Sequence, residues 1–431
     1  MQYHHEAATV EDQASPNWEQ VPPIHITSRC SRLKALPAYV WQLPALWLLL
    51  RGLTSLWAAL VSPLHPHTLR EQAIPLWPPS APFGAWLERL LLAPWERWDV
   101  TYYIRIVQQG YRTDDGTAQF HPLFAWMATP LAGLTGSPLL GLMLISSGAS
   151  LGALIAFERL ARLDLDQDAA RTSTLLLAFS PLASILFAPY TEALWLFWAV
   201  LCLFWARRQA WWLAGLAGAL ATLTRQQGLF LALPLAWELW EASGRNWRQA
   251  VRSWRDWLAV GLIPVGLLIW LVYRAVALND LQANFSDPQA LIYSLLISPD
   301  SSKVVPVQAF LWPWEAMYLA LAKLWREPEY SLVIDLVLGA GFLALTILAW
   351  HHLRMSYRLL AVTIILVSFG YHTGPHYPYM GLPRHLLLAF PVFIGLGQVM
   401  QQRWLRLTMA SLGLMGMLFL LLQYVIEGWV P

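Results

Sequence analysis

The sequence predicts an all-α polytopic membrane protein, and three observations lead there. Hydrophobic residues fill 57% of the 431 positions, charged residues only 13%, and the mean hydropathy is +0.45; an ordinary soluble domain carries about 25% charged residues. The apolar residues gather into runs of near-spanning length rather than short alternating segments, which sets aside a transmembrane barrel. Arginines cluster in alternate connections between those runs, as the positive-inside rule requires. A net charge of +2 argues against nucleic acid as a partner. The two cysteines, Cys30 before the first run and Cys202 inside a later one, build no disulfide framework.

Taken in order, residues 1–38 are polar, contain proline, and carry Arg29, Arg32 and Lys34 just ahead of the first apolar run; they read as a disordered cytoplasmic tail. Residues 39–431 read as a single transmembrane domain. The run at 40–61 is too long for the core of a cleaved signal and lacks a small-residue cleavage site, so a signal anchor with its N-terminus inside is expected. Arg51 lies within that span, costs on the order of 3 kcal/mol there, and must face the bundle and a polar partner.

Further runs near 138–160, 172–189, 191–206, 211–225, 227–241, 257–277, 331–350, 357–372, 383–400 and 407–427 bring the expected spans to about eleven, several of them short, tilted or partial. With that count Arg159, Arg162, Arg171, Arg207, Arg208, Arg245, Arg248, Arg252, Arg255, Arg354, Arg358, Arg403 and Arg406 all fall on one side, which is read as the cytoplasm, and the C-terminus ends outside. The scheme requires that 120–136 not span. Pro122, Pro130, Gly133 and Gly136 interrupt it, so it reads as a re-entrant or interfacial segment. Two outer regions are long, 62–120 and 279–330. The second carries Phe310, Trp312 and Trp314 and an amphipathic run at 316–326, expected to roof the first. No internal repeat is visible.

Candidate chemistry collects at the outer ends. In the first outer region, Trp98-Asp99 leads into Tyr102, Tyr103 and Ile106, spaced for one face of a helix with Thr101, Arg105 and Gln109 opposite; Gly110 ends it. Asp99 reads either as a helix cap or as a carboxylate at the edge of apolar surroundings, suited to general-base work. Tyr190, Thr191 and Glu192 fall in a tight outer connection within 180–195, where Glu192 is a loop charge, a cap or a substrate ligand. Arg225 and Arg384 sit on the outer side, where arginine is disfavoured unless it has a partner. A lipid phosphate gripped bidentately is one reading, and snorkelling to headgroups the other. His372 and His376, with His385, suggest a metal set only weakly, because Gly374 and Pro375 prevent the helix that would align the pair. Hydrogen bonding to sugar hydroxyls fits them better, with Tyr371, Tyr377 and Tyr379 as stacking surfaces. No metal or other cofactor is expected.

Trp98-Asp99, Tyr102-Tyr103, Gly110-Tyr111 and Phe120-His121-Pro122-Leu123 together resemble the first outer loop of the PIG-V type family, the second mannosyltransferases of GPI-anchor assembly and their bacterial relatives, within the GT-C class of polytopic glycosyltransferases. Pro189-Tyr190-Thr191-Glu192 is similar to the family's PYSE segment, and the family has arginines at the places of Arg225 and Arg384. His121 departs from a usual second aromatic, and Gln226-Gln227 also differ.

The resemblance implies a GT-C-like bundle with interfacial helices in its first outer loop. It further implies inverting transfer of a hexose, mannose in the family, from a polyprenyl-phosphate donor to a hydroxyl of a lipid-linked or glycan acceptor. Asp99 would be the base, Arg384 and Arg225 the donor-phosphate ligands, and Trp98, Tyr102, Tyr103, His121, Tyr190, Glu192, His376 and His385 the substrate surroundings. The compact length looks like the bacterial branch, hence an inner membrane with the site facing out. Such a donor brings its own leaving group, so neither a general acid nor a nucleotide-binding fold is needed. The competing readings are a transporter or flippase of a lipid-linked sugar, and a non-catalytic assembly subunit in which Asp99 is dispensable. A transporter usually sets ionisable residues at mid-membrane on repeated, broken helices, whereas the carboxylates here gather in outer loops.

Overall fold

The computed structural model describes residues 39–64, 90–279 and 309–428. The N-terminal tail and parts of both long outer regions, at 65–89 and 280–308, lie outside the described residues. The described chain is helical except for a two-residue antiparallel pairing of β1 (Ala309–Phe310) with β2 (Tyr371–His372).

The helices are α1 (Tyr39–Val61), α2 (Asp99–Gln109), α3 (Leu123–Thr135), α4 (Pro138–Ala161), α5 (Gln167–Ala178), α6 (Thr191–Arg207), α7 (Trp211–Thr224), α8 (Ala232–Ala242), α9 (Trp247–Arg252), α10 (Trp254–Tyr273), α11 (Pro313–Arg326), α12 (Tyr330–Ala349), α13 (Met355–Gly370), α14 (Leu382–Leu387), α15 (Val392–Val399) and α16 (Arg403–Val425). Every apolar run of the sequence contains helix, several with a break or a non-helical end, and the chain is an integral membrane protein. Among the described residues only five helices are long and apolar enough to cross a membrane alone, around α1, α4, α10, α12 and α16, or six if α5 and the 3₁₀ turn Pro181–Phe187, bent by 74°, count as one. The count of about eleven spans, several of them short or partial, is not confirmed by helix length alone.

The physical reason lies in the breaks. The run at 172–189 bends at Ser180-Pro181, where the proline has no N–H to continue the helix. The runs at 211–225 and 227–241 are separated by an extended Arg225 and a 3₁₀ turn, Gln226–Leu231. A Cβ on Gly228 would lie 2.2 Å from the Thr222 backbone nitrogen, so only glycine lets that turn fold back on α7. The run at 383–400 divides into α14 and α15. The segment at 120–136 forms α3, whose 13 residues give about 20 Å, short of the roughly 30 Å hydrocarbon layer.

Packing places the short helices between the long ones. α4 packs on α3 and α6, α7 on α6 and α10, α15 on α5 and α12, and α8 and α11 on α13. The α7–α10 contact is close because small residues face it: a Cβ on Gly215 would come 2.2 Å from the Ala259 carbonyl oxygen, and one on Gly266 2.2 Å from that of Ala219. α11 buries Ala316 and Ala320 and leaves Tyr318 and Trp325 exposed. It packs on α13, α12 and β2; the first outer region it was expected to roof lies partly outside the described residues.

One end of the bundle is tied by charges. Arg207 pairs with Asp164 at 2.6 Å, the Tyr357 hydroxyl donates to the same carboxylate at 2.9 Å, and Arg354 reaches Glu241 at 2.9 Å and Glu238 at 3.6 Å. This network joins α6, α8 and α13 to the turn after α4, and it gathers two arginines that the charge pattern had assigned to a single side.

Candidate active site

Glu192 starts α6 and Arg207 ends it, 15 residues apart, so the second cluster of charges lies about 22 Å along the axis from the first. This far end is where the candidate residues meet.

Asp99 is the first residue of α2. Its carboxylate caps nothing: the N-cap position is Trp98, and no side-chain cap is made. Instead Asp99 Oδ2 accepts from Arg384 Nη1 at 2.6 Å, across 285 residues of chain. The Asp99 backbone N–H donates to the Tyr190 hydroxyl at 3.3 Å. Trp98 is held at φ 57°, a left-handed conformation that a bulky residue adopts only under strain, at a cost of about 1–3 kcal/mol. The last span supplies the restraint. The Trp98 indole donates to the Tyr424 carbonyl at 3.3 Å, and the Tyr424 hydroxyl donates to the Trp95 carbonyl at 2.9 Å.

Glu192 sits in the first turn of α6, where the helix dipole favours a carboxylate. It is fully buried, not a solvated loop charge. Arg225 Nη1 donates to Glu192 Oε1 at 2.6 Å and to the Thr191 hydroxyl at 2.9 Å, and Arg384 Nε lies 3.7 Å from the same Oε1. The four groups thus alternate in sign, Asp99–Arg384–Glu192–Arg225. The Arg384 guanidinium also lies over the Tyr190 ring, 5.6 Å from its centre. Each arginine is delivered by a break in helical structure: Arg225 is the extended residue after α7, and Arg384 sits in α14, entered through Gly381 at φ 68° and Pro383. Burial is the main reason the Tyr103 and Tyr190 phenols are pushed well above their ordinary range, with the Asp99 carboxylate adding to it, so both stay protonated.

His121 lies beside this chain and not in it. Its Nδ1 is 2.9 Å from the Thr222 carbonyl, an acceptor, so the neutral ring carries its proton there. Burial lowers its pKa to about 4; the Thr222 carbonyl opposes this, while Arg225 and Arg274 add to it. His385 is buried near both arginines, its ring 5.9 Å from that of Tyr371. Tyr103 is buried against Phe120 and Phe124, whereas Tyr102, expected on the same face, is half-exposed and stacks on Phe120 at 5.2 Å. The buried face of α2 is Val100, Tyr103, Ile104 and Ile106. His376 does not join: it is exposed, and its carbonyl accepts from Lys323. Among the described residues no three His, Cys, Asp or Glu side chains gather as metal ligands. Arg51 meets the Phe187 carbonyl, Met143 Sδ at 3.0 Å and the Trp95 ring at 5.0 Å, so its polar partner is backbone and not a carboxylate.

Sequence reading placed Thr191 in the outer connection without giving it a role, and it missed Tyr424, which lies near the end of a long apolar run with no local signal.

Comparison with known proteins adds the following. No curated protein sequence matches the chain. Among solved structures, that of ArnT from Cupriavidus metallidurans bound to undecaprenyl phosphate is similar, with 14% sequence identity and a TM-score of 0.48, over 83% of this chain and 60% of that one. The chain therefore spans three fifths of the length of that relative. The family profile described as Mannosyltransferase (PIG-V) matches residues 40–271, more than half the chain, including Asp99, Tyr190, Glu192 and Arg225. The chain belongs to the PIG-V mannosyltransferase family.

Proposed function

We propose that the protein is an inverting glycosyltransferase that moves a hexose, mannose by family, from a polyprenyl-phosphate donor to a hydroxyl of a lipid-linked or glycan acceptor. The observation that carries this reading is a carboxylate, Asp99, with 30% of its side chain exposed, sharing a guanidinium with a fully buried partner. A base must be reachable, and a phosphate ligand must be held firmly; this arrangement provides both.

In this reading Asp99 takes the proton from the acceptor hydroxyl as its oxygen attacks the anomeric carbon. The bond from that carbon to the phosphate oxygen breaks, and its electron pair leaves with the polyprenyl phosphate. One displacement inverts the anomeric centre. Arg384 and Arg225 meet the negative charge that develops on the leaving oxygen; guanidinium suits this because it stays charged and binds phosphate oxygens in pairs. Tyr102 stacked on Phe120 offers a half-exposed aromatic platform beside the base for a sugar ring. The site faces the extracytoplasmic side of a bacterial inner membrane, since Arg207 and Arg354 gather at the opposite end of α6.

The test is turnover of a labelled polyprenyl-phosphate mannose by protein purified in detergent. Asp99→Asn keeps the shape and removes the base, so the rate should fall at least about 10²-fold. Asp99→Glu misplaces the carboxylate by a methylene and should be impaired less than Asn. Turnover near the wild-type rate in Asp99→Asn sinks the assignment. Absence of any product from wild-type protein, with the sugar merely moved across a reconstituted bilayer, would turn the reading toward a transporter.

A further inference from the structure

We infer that the donor phosphate and Asp99 compete for Arg384: the phosphate displaces the carboxylate from the guanidinium as the donor is seated. The inference rests on the function proposed above and adds an order of events to it.

Three observations point to the exchange. Asp99 Oδ2 is engaged by Arg384 Nη1 at 2.6 Å, so a second anion arriving at that guanidinium meets a carboxylate already bound to it. The four charges also differ in access. Asp99 is 30% exposed at its open end, while Arg384, Glu192 and Arg225 are 12%, 0% and 13% exposed. Asp99 is thus the one charge of the four that an incoming anion can readily displace, and Glu192, enclosed between the two guanidiniums, stays to hold both in place. Finally, Arg384 Nε and Arg225 Nε are buried N–H groups without a hydrogen-bond acceptor. A buried donor left open is costly, and a phosphate brings several acceptor oxygens to two of them at once.

The charges balance through such a step. Two guanidiniums and two carboxylates are neutral together, and a phosphodiester donor adds one negative charge. During transfer Asp99 gains the acceptor proton and becomes neutral while the leaving phosphate gains one negative charge. The charge thus passes between two groups that share Arg384, and the released Asp99 no longer competes with the product for it.

The direct test is binding of farnesyl phosphate, a short isoprenyl phosphate, to the full-length protein in detergent by calorimetry. Removing the competitor should tighten binding, so Asp99→Asn and Asp99→Ser should each lower Kd about tenfold, the equivalent of about 1.4 kcal/mol. Unchanged or weaker binding overturns the exchange. Because either variant can fail to fold, a second measurement uses wild-type protein: the rate at which a carbodiimide modifies Asp99, read by peptide mass spectrometry. Farnesyl phosphate should accelerate modification, and protection or no change overturns the exchange. Inorganic phosphate accelerating it equally supports exchange with the phosphate group itself, whereas acceleration by farnesol, which has no phosphate, overturns it. Loss of turnover in Asp99→Asn with unchanged Kd sinks the exchange and leaves the base; tighter binding with retained turnover does the reverse.

Discussion

Glu192 is the residue whose loss the structure translates most directly into energy. Its carboxylate is fully buried, 2.6 Å from Arg225 Nη1 and 3.7 Å from Arg384 Nε. Unit charges about 4 Å apart interact by about 4 kcal/mol at an effective dielectric of about 20. Glu192→Gln removes the shared anion and leaves two largely buried guanidiniums facing one another with only Asp99, at the open end, to compensate. Breaking a buried pair from one side typically costs about 3–5 kcal/mol, because the surviving charge is stranded. The variant should therefore unfold several degrees earlier in a detergent thermal scan. Neutralising both members in Glu192→Met with Arg225→Met restores the charge balance, leaving Asp99 paired with Arg384, and should recover most of the loss. A double-mutant cycle measures the coupling, expected at about 3 kcal/mol in magnitude. If Glu192→Gln is as stable as wild type and the cycle shows no coupling, Glu192 does not hold the two arginines, and the account of the site fails at its centre.

Other perturbations probe the same framework. Arg384→Lys keeps a charge but loses the two-pronged grip, so the KM for donor should rise about tenfold, and further in Arg384→Ala; wild-type donor dependence in both would make Arg384 a partner of Asp99 alone. His121, held near 4 by burial against an ordinary 6.5, stays neutral while the unfolded chain takes up its proton. That contribution to stability is present above about pH 6.5 and is lost as pH falls toward 4, by up to about 3 kcal/mol. His121→Gln should flatten this part of the stability profile measured by thermal shift between pH 7 and 4, and an unaltered slope would show that His121 is not its source. In a background lacking Cys30 and Cys202, Asp114→Cys should react with an impermeant thiol reagent on intact cells and Arg248→Cys should not; the reverse labelling would turn the site toward the cytoplasm.

The sequence alone determined the class of molecule and marked the segments whose charged residues come together in the fold. Hydropathy is a sum over neighbours, so long apolar runs report a membrane domain wherever they sit, and the arginines of alternate connections give an expectation for which ends share a side. Trp98-Asp99 and the Gly110 stop located α2 to within a residue, because helix start and stop are local events. Tertiary structure alone decided what each charged residue does. The same Asp99 suits a cap or a base by its position in sequence; it is Arg384, 285 residues away, that engages its carboxylate. The break at Ser180-Pro181 falls inside one apolar run and Arg225 looks from the sequence like a span end, yet both are interruptions around which Tyr190 and Arg225 are brought to the site. Glu192 reads as a loop charge because a short apolar-flanked connection resembles a surface turn, and only the packing of α6 against α4 and α7 buries it. A charge can be buried when its partners arrive from distant segments, and their arrival depends on how the helices pack, which no local stretch of the chain encodes.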